Sequence, residues 1–190
     1  MRIWNPRYLK DLQRVNLAQR LLTFGARPQI VSDWTGLTIW QVRSLCKDFG
    51  YTDGAGSPSR RRGPSPKSLS HLLTSERWRS EASVLVSLCY VFEAMPTEPL
   101  RDLRRELPTL QRGERFCRAY EVYGELFSGR SLDVDEAMLV YTEAAAARAI
   151  RADRCESCSA VIIRDVGMNN RFRCLSCVRS DSEQNAPLRA

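Results

Sequence analysis

Apolar residues along this chain recur mostly at three- and four-residue steps, the spacing that places them on one face of an α-helix. Leu9, Leu12, Val15, Ala18 and Leu22 set the first stripe and predict an amphipathic helix from about Arg7 to Phe24, with Gly25 placed to end it. Two shorter helical patterns follow as far as Phe49. From Thr74 a second long stripe runs through Trp78, Ala82, Leu85, Val86, Cys89 and Phe92, and Pro96 with Pro99 stops it. A third, from Gln111 to Phe127, aligns Phe116, Tyr120, Tyr123 and Phe127. Asp133 followed by Glu136 is an acidic form of the capping box and opens an Ala-rich helix through Val140, Tyr141, Ala144 and Ala147. These aromatic stripes read as core, because helix packing needs large apolar groups at this spacing whatever the function.

The pattern breaks twice. Tyr51 to Ser68 is rich in Gly, Ser, Pro and Arg, with Pro58, Pro64 and Pro66 blocking regular structure, and reads as a linker or exposed arm. The last forty residues change period: Val161-Ile162-Ile163 is a short β-branched run, Gly167 to Asn170 reads as a turn before Phe172, and a small two-stranded unit is expected. Five regions result: a helical, helix-turn-helix-like region over 1–50, the arm over 51–68, a helical body over 69–152, a cysteine module over 153–180, and a frayed tail over 181–190.

The module's chemistry lies in Cys155, Cys158, Cys174 and Cys177, spaced C-x2-C-x15-C-x2-C. Two thiolate pairs on tight turns, joined by a hairpin of that length, suit the tetrahedral demand of Zn²⁺. Some thirty residues also bury too little apolar surface to fold alone, a deficit that a metal contributing on the order of 10 kcal/mol offsets. Disulfides are disfavoured by an odd total of seven cysteines. A redox pair would need its C-x-x-C at the start of a helix in an α/β setting, and an iron–sulfur cluster more often uses other spacings. Four thiolates leave no open coordination position, so one structural zinc per chain is expected. Cys46, Cys89 and Cys117 fall on apolar helix faces and read as core.

Pro28 to Lys47 carries the second constellation. Pro28 suits a first helical turn, Gly36 a left-handed turn residue, and Thr38 an N-cap with Gln41 three positions on. Val31, Leu37, Val42 and Leu45 would then share the core of a helix-turn-helix, with Ser32 keeping the crossing small. Its second helix, about Thr38 to Phe49, would turn Trp40, Gln41, Arg43, Ser44 and Lys47 outward as DNA contacts. Gln and Arg suit base edges in a major groove, and Ser and Lys suit phosphates. Behind it, Arg60-Arg61-Arg62 would enter a minor groove or follow phosphates; a solvated linker held extended by its charges explains the run equally well.

Charge agrees with a polyanionic partner. The 190 residues hold 29 Lys/Arg and 22 Asp/Glu, net +7, and residues 1–67 alone hold 12 against 4. No apolar run reaches the roughly 20 residues of a membrane helix, and the amino terminus lacks the apolar core of a secretory signal, so a cytoplasmic protein is expected. Catalysis finds little support. The single histidine, His71, has no nucleophile or ligand spacing around it, no Gly-rich phosphate loop occurs, and Asp133 and Asp135 suit helix capping. The fold class is mainly α: a helical bundle with an N-terminal helix-turn-helix-like unit and a small C-terminal four-cysteine zinc module.

Leu21-Leu22-Thr23-Phe24-Gly25-Ala26-Arg27-Pro28-Gln29, Thr35-Gly36-Leu37, the Gly/Pro-rich break after Phe49, Ala119-Tyr120-Glu121-Val122-Tyr123 and the two C-x-x-C pairs together resemble the FlhC family of flagellar transcriptional activator subunits, over nearly the whole chain. The resemblance implies a bacterial cytoplasmic activator working with FlhD as a heterohexamer of four FlhD and two FlhC chains. It also implies binding to double-stranded promoter DNA upstream of class II flagellar operons and recruitment of RNA polymerase carrying the housekeeping sigma factor. By similarity the zinc thiolates fall on Cys155, Cys158, Cys174 and Cys177. Two features depart from the family: Ser159-Ala160 stand where a glycine is expected after the first cysteine pair, and the tail beyond Cys177 is shorter. An alternative within the same resemblance is an assembly subunit, in which this chain holds the partner and the partner alone contacts DNA.

Overall fold

A computed structural model of the chain describes residues 6–51, 68–69, 75–102, 109–167 and 173–184. Among these residues it is mainly helical, with one two-stranded sheet. Residues 52–67 of the arm, including Arg60, Arg61 and Arg62, lie outside the described residues, as does His71.

Helix α1 (Pro6–Thr23) forms on the predicted stripe and stops at Gly25, whose φ of 84° lies in the left-handed region. Its burial is confined to the second half: Leu17, Ala18, Leu21 and Leu22 are buried, whereas Leu9 and Leu12 are 43% and 44% exposed. The spacing predicted a buried stripe from Leu9 onward, but no described element covers the first turns. Helices α2 (Pro28–Thr35) and α3 (Ile39–Asp48) follow. Two long helices, α4 (Glu76–Val91) and α5 (Leu110–Leu126), and the shorter α6 (Val134–Ala146) complete the body. Asp133 and Glu136 form the expected reciprocal cap of α6, at 2.8 and 3.0 Å.

The aromatic stripes meet in one core. Phe116, Tyr120 and Tyr123 on α5 are buried with Tyr141 of α6, and the Trp34 ring of α2 lies 5.8 Å from Phe116 and 5.5 Å from Tyr141. Trp34 therefore fastens the helix-turn-helix to the bundle through tilted ring contacts, which add to simple area burial. A second fastening is ionic. The Arg27 backbone N–H and guanidinium both donate to buried Asp135 in the first turn of α6, at 3.1 and 2.5 Å. Burial pushes the Asp135 carboxyl up, against the pull of Arg27.

One buried charge sits deeper. The Glu81 carboxylate on α4 accepts hydrogen bonds from the Tyr123 hydroxyl, from the Ser131 N–H (2.8 Å) and hydroxyl (3.0 Å), and from Arg77 Nε (2.8 Å). Burial alone would raise its pKa; the donors, Tyr123 foremost, overcome that and hold the carboxyl below its usual range. One side chain thereby ties α4, α5 and the turn before α6.

After α6 the chain enters β1 (Ile150–Arg154), which pairs antiparallel with β2 (Val161–Asp165), Ala152 opposite Ile163. Ile150 and Ile163 are buried in the main core, and the Ile163 N–H donates to Ser83 Oγ of α4 at 3.0 Å. The hairpin is thus seated on the helical body. Helix α7 (Leu175–Gln184) follows Cys174 and carries Cys177. The strand paired with Val161-Ile162-Ile163 lies before the first cysteine pair, while Asn169, Asn170 and Phe172 of the expected turn lie outside the described residues, and residues expected to fray beyond 180 remain helical to Gln184. No helix among the described residues is long and apolar enough to cross a membrane.

Candidate metal centre and nucleic-acid interface

The first cysteine pair occupies the turn between β1 and β2. Cys155 N–H donates to the Ala160 carbonyl at 2.8 Å and Ser159 N–H to the Cys155 carbonyl at 2.9 Å, which folds Cys158 back beside Cys155. Ser159 carries the turn with φ of 60°, the left-handed conformation in which the family resemblance leads one to expect glycine. The turn is retained at a conformational cost. Ser159→Gly is therefore expected to stabilise the protein by about 1 kcal/mol, read as a higher denaturant midpoint with unchanged metal content.

The second pair opens α7. Cys174 precedes the helix and its Sγ accepts the Cys177 N–H at 3.5 Å, while its carbonyl accepts from Val178 at 3.1 Å, so the cysteine acts as the cap. Cys174 N–H in turn donates to Cys155 Sγ at 3.2 Å, linking the two turns. Arg173 clasps them from outside, with Nε on Ser157 Oγ at 2.8 Å, and Arg154 reaches the Ser159 carbonyl at 3.2 Å. These two arginines were not picked out by the cysteine spacing; adjacency of Arg154 to Cys155 and of Arg173 to Cys174 was the only signal.

All four sulfurs lie within 4.8 Å of one another, and Cys158 Sγ is 3.6 Å from Cys174 Sγ. Four thiolates about 2.3 Å from a central ion would be about 3.8 Å apart, so the cluster fits a tetrahedral ion with little adjustment. Cys155 is buried, Cys174 and Cys177 are partly buried, and Cys158 is exposed. Its N–H donors, that of Cys174 first, hold the Cys155 thiol down to about 6, while hydrogen bonds with Cys174 and Cys158 push Cys177 up to about 12. One thiol of the set is ready to ionise and another resists. A cation entering the cluster must displace the remaining protons, which makes occupancy fall as pH falls. The four cysteines are able to hold a metal ion in a closed site.

The helix-turn-helix forms as its capping residues dictate. Gly36 has φ of 70° and its N–H returns to the Ser32 carbonyl at 2.9 Å. Ser32 Oγ donates to the Leu37 carbonyl at 2.6 Å, holding the turn against α2. Thr38 and Gln41 complete a capping box: Gln41 N–H donates to Thr38 Oγ1 at 3.2 Å, and Thr38 N–H to Gln41 Oε1 at 2.9 Å. Val31, Val42 and Cys46 are buried, Leu37 is nearly so, and Leu45 packs against the core. Cys89 and Cys117 are fully buried as well, and burial pushes the Cys117 thiol up to about 12, so neither is poised for chemistry.

Thr38, Trp40, Gln41, Arg43 and Lys47 are exposed or nearly so, and Ser44 is partly exposed. Of the residues expected to face DNA, α3 thus brings together Trp40, Arg43, Ser44 and Lys47 on one outward stripe, and from Ile39 to Lys47 it carries no acid. Thr38 and Gln41 are held by the cap. No protein-family model matches this chain, and no curated protein matches it.

Proposed function

We propose that this chain is the DNA-binding subunit of a bacterial, cytoplasmic transcriptional activator of the FlhC type, with Zn²⁺ as the structural ion held by Cys155, Cys158, Cys174 and Cys177. The observation that carries the reading is the capped helix-turn-helix, whose second helix turns an acid-free stripe of Trp40, Arg43 and Lys47 to solvent. Such a helix suits a major groove, and its cations suit phosphates and guanine edges. Four thiolates in a closed set favour zinc over hard cations, and zinc would contribute folding energy rather than chemistry. The family resemblance supplies the rest of the reading: assembly with FlhD as four FlhD and two FlhC chains, class II flagellar promoters as targets, and RNA polymerase with the housekeeping sigma factor as the recruited machine. In this reading the chain has no catalytic role.

Titrating the co-purified assembly with a duplex from upstream of a class II flagellar operon tests it. Affinity should fall on the order of a thousandfold between about 50 and 200 mM salt, given several neutralised phosphates. Arg43→Ala should weaken the preferred sequence about tenfold or more and relax selectivity at one base pair. Salt-insensitive binding would contradict the proposal. Crosslinks from DNA only to the partner would favour the assembly-subunit alternative, for which the exposed Leu9 and Leu12 of α1 offer contact surface.

A further inference from the structure

We infer that Trp40 and Arg43, and not Gln41, read the bases, with the Trp40 indole set against the 5-methyl group of a thymine beside the guanine that Arg43 contacts. The inference rests on the DNA-binding reading above and gives it a base composition.

Gln41 is removed from base reading by its own cap. Recognition of adenine by a carboxamide needs the carbonyl to accept and the amino group to donate at once. In α3 the Gln41 Oε1 already accepts from the Thr38 N–H at 2.9 Å and from Thr38 Oγ1 at 3.0 Å. Swinging the side chain into a groove would give up that half of the capping box, leaving only the Gln41 N–H on Thr38 Oγ1. Trp40, the second residue of α3, is left as the foremost side chain of the stripe, and it is 76% exposed.

An indole left so open, with Arg43 and Lys47 following it along the same face, calls for a surface that is anionic and offers one apolar contact. Arg43 and Lys47 follow Trp40 at three and seven residues, so all three share a face, and no carboxylate interrupts them. Phosphates satisfy the cations. On the floor of the major groove the apolar group is the thymine methyl. Residues three apart on a helix rise about 4.5 Å, close to one base-pair step of about 3.4 Å, which places the thymine next to the guanine.

The test uses the co-purified assembly and a pool of randomised duplexes, from which a preferred sequence is selected and resynthesised with deoxyuridine replacing each thymidine in turn. Loss of the one methyl should weaken wild-type binding about fourfold at a single position adjacent to a guanine. Trp40→Ala should bind thymine and uracil duplexes equally. Gln41→Ala should melt slightly earlier, from loss of one half of the capping box, and select the same sequence. Equal binding of all uracil-substituted duplexes by the wild type, continued discrimination by Trp40→Ala, or a changed selected sequence with Gln41→Ala would each overturn the inference while leaving DNA binding intact. If no duplex is enriched at all, the DNA-binding reading and this inference fall together. Dissociation of the partner by Trp40→Ala with thymine discrimination preserved would make the indole a protein contact and overturn the inference.

Discussion

Cys174→Ser in the purified protein is expected to bring bound metal to near zero and to unfold α7 together with both cysteine turns. The cause is geometric. Cys174 supplies a sulfur to the cluster, caps α7, and donates its N–H to Cys155 Sγ, so a single substitution disturbs a ligand, a helix end and the link between turns. A serine oxygen is a shorter and harder ligand and does not replace the thiolate. Metal binding of this kind contributes on the order of 10 kcal/mol to folding, comparable to the net stability of a whole domain. The loss should nevertheless be local. Ile150 and Ile163 are buried against the helical body, and the Ile163 N–H is bonded to Ser83, so the hairpin has anchorage of its own. Hydrogen exchange should show lost protection in the two cysteine turns and α7, and near-normal protection in β1, β2, α4 and α5. Unchanged metal content, or uniform protection, would count against a structural metal.

Glu81→Ala is expected to destabilise the folded chain by about 3–5 kcal/mol, measured by denaturant unfolding. Removing the carboxylate leaves the Tyr123 hydroxyl and the Ser131 N–H without their acceptor inside the core, and Arg77 without its partner on α4. The pH dependence gives a second readout. The folded pKa of Glu81 is lowered, so its stabilising contribution is fully present above the unfolded value, near 4.5, and disappears as pH falls through the folded value. Wild-type stability should therefore decline more steeply below about pH 4.5 than that of Glu81→Ala. Equal slopes in the two proteins would remove Glu81 as the source of that decline.

The parts of the fold governed by local chemistry were legible in the sequence. Gly36, Thr38 and Gln41 act within a few residues of one another, and they set the turn and the start of α3 as their types require. The paired cysteine spacing likewise brings four sulfurs together, because each pair lies on its own tight turn. What depended on distant partners was not legible. Ile150-Arg-Ala-Asp-Arg154 has no sustained apolar alternation, and it is a strand because β2 pairs with it across the cysteine turn. Residues 175–184 have weak helical periodicity, and their helix begins because Cys174 caps it. Glu81 is not singled out in the sequence, because Tyr123 and Ser131, which enclose its carboxylate, arrive from 42 and 50 residues away. Leu9 and Leu12 fit the apolar stripe of α1 but lack a neighbour to cover them among the described residues.

Helix α6 touches both ends of the molecule's proposed work. Its first turn grips Arg27 at the entrance to the helix-turn-helix through Asp135, and its last turn leads directly into β1 and the cysteine hairpin. Its 13 residues span about 20 Å, so a rigid beam fixes the spacing and relative tilt of the two sites. An insertion or deletion of one residue within that beam would rotate one end against the other by about 100°, a consequence of the roughly 3.6 residues per turn. Length changes there are consequently less tolerable than almost any single side-chain replacement on its surface.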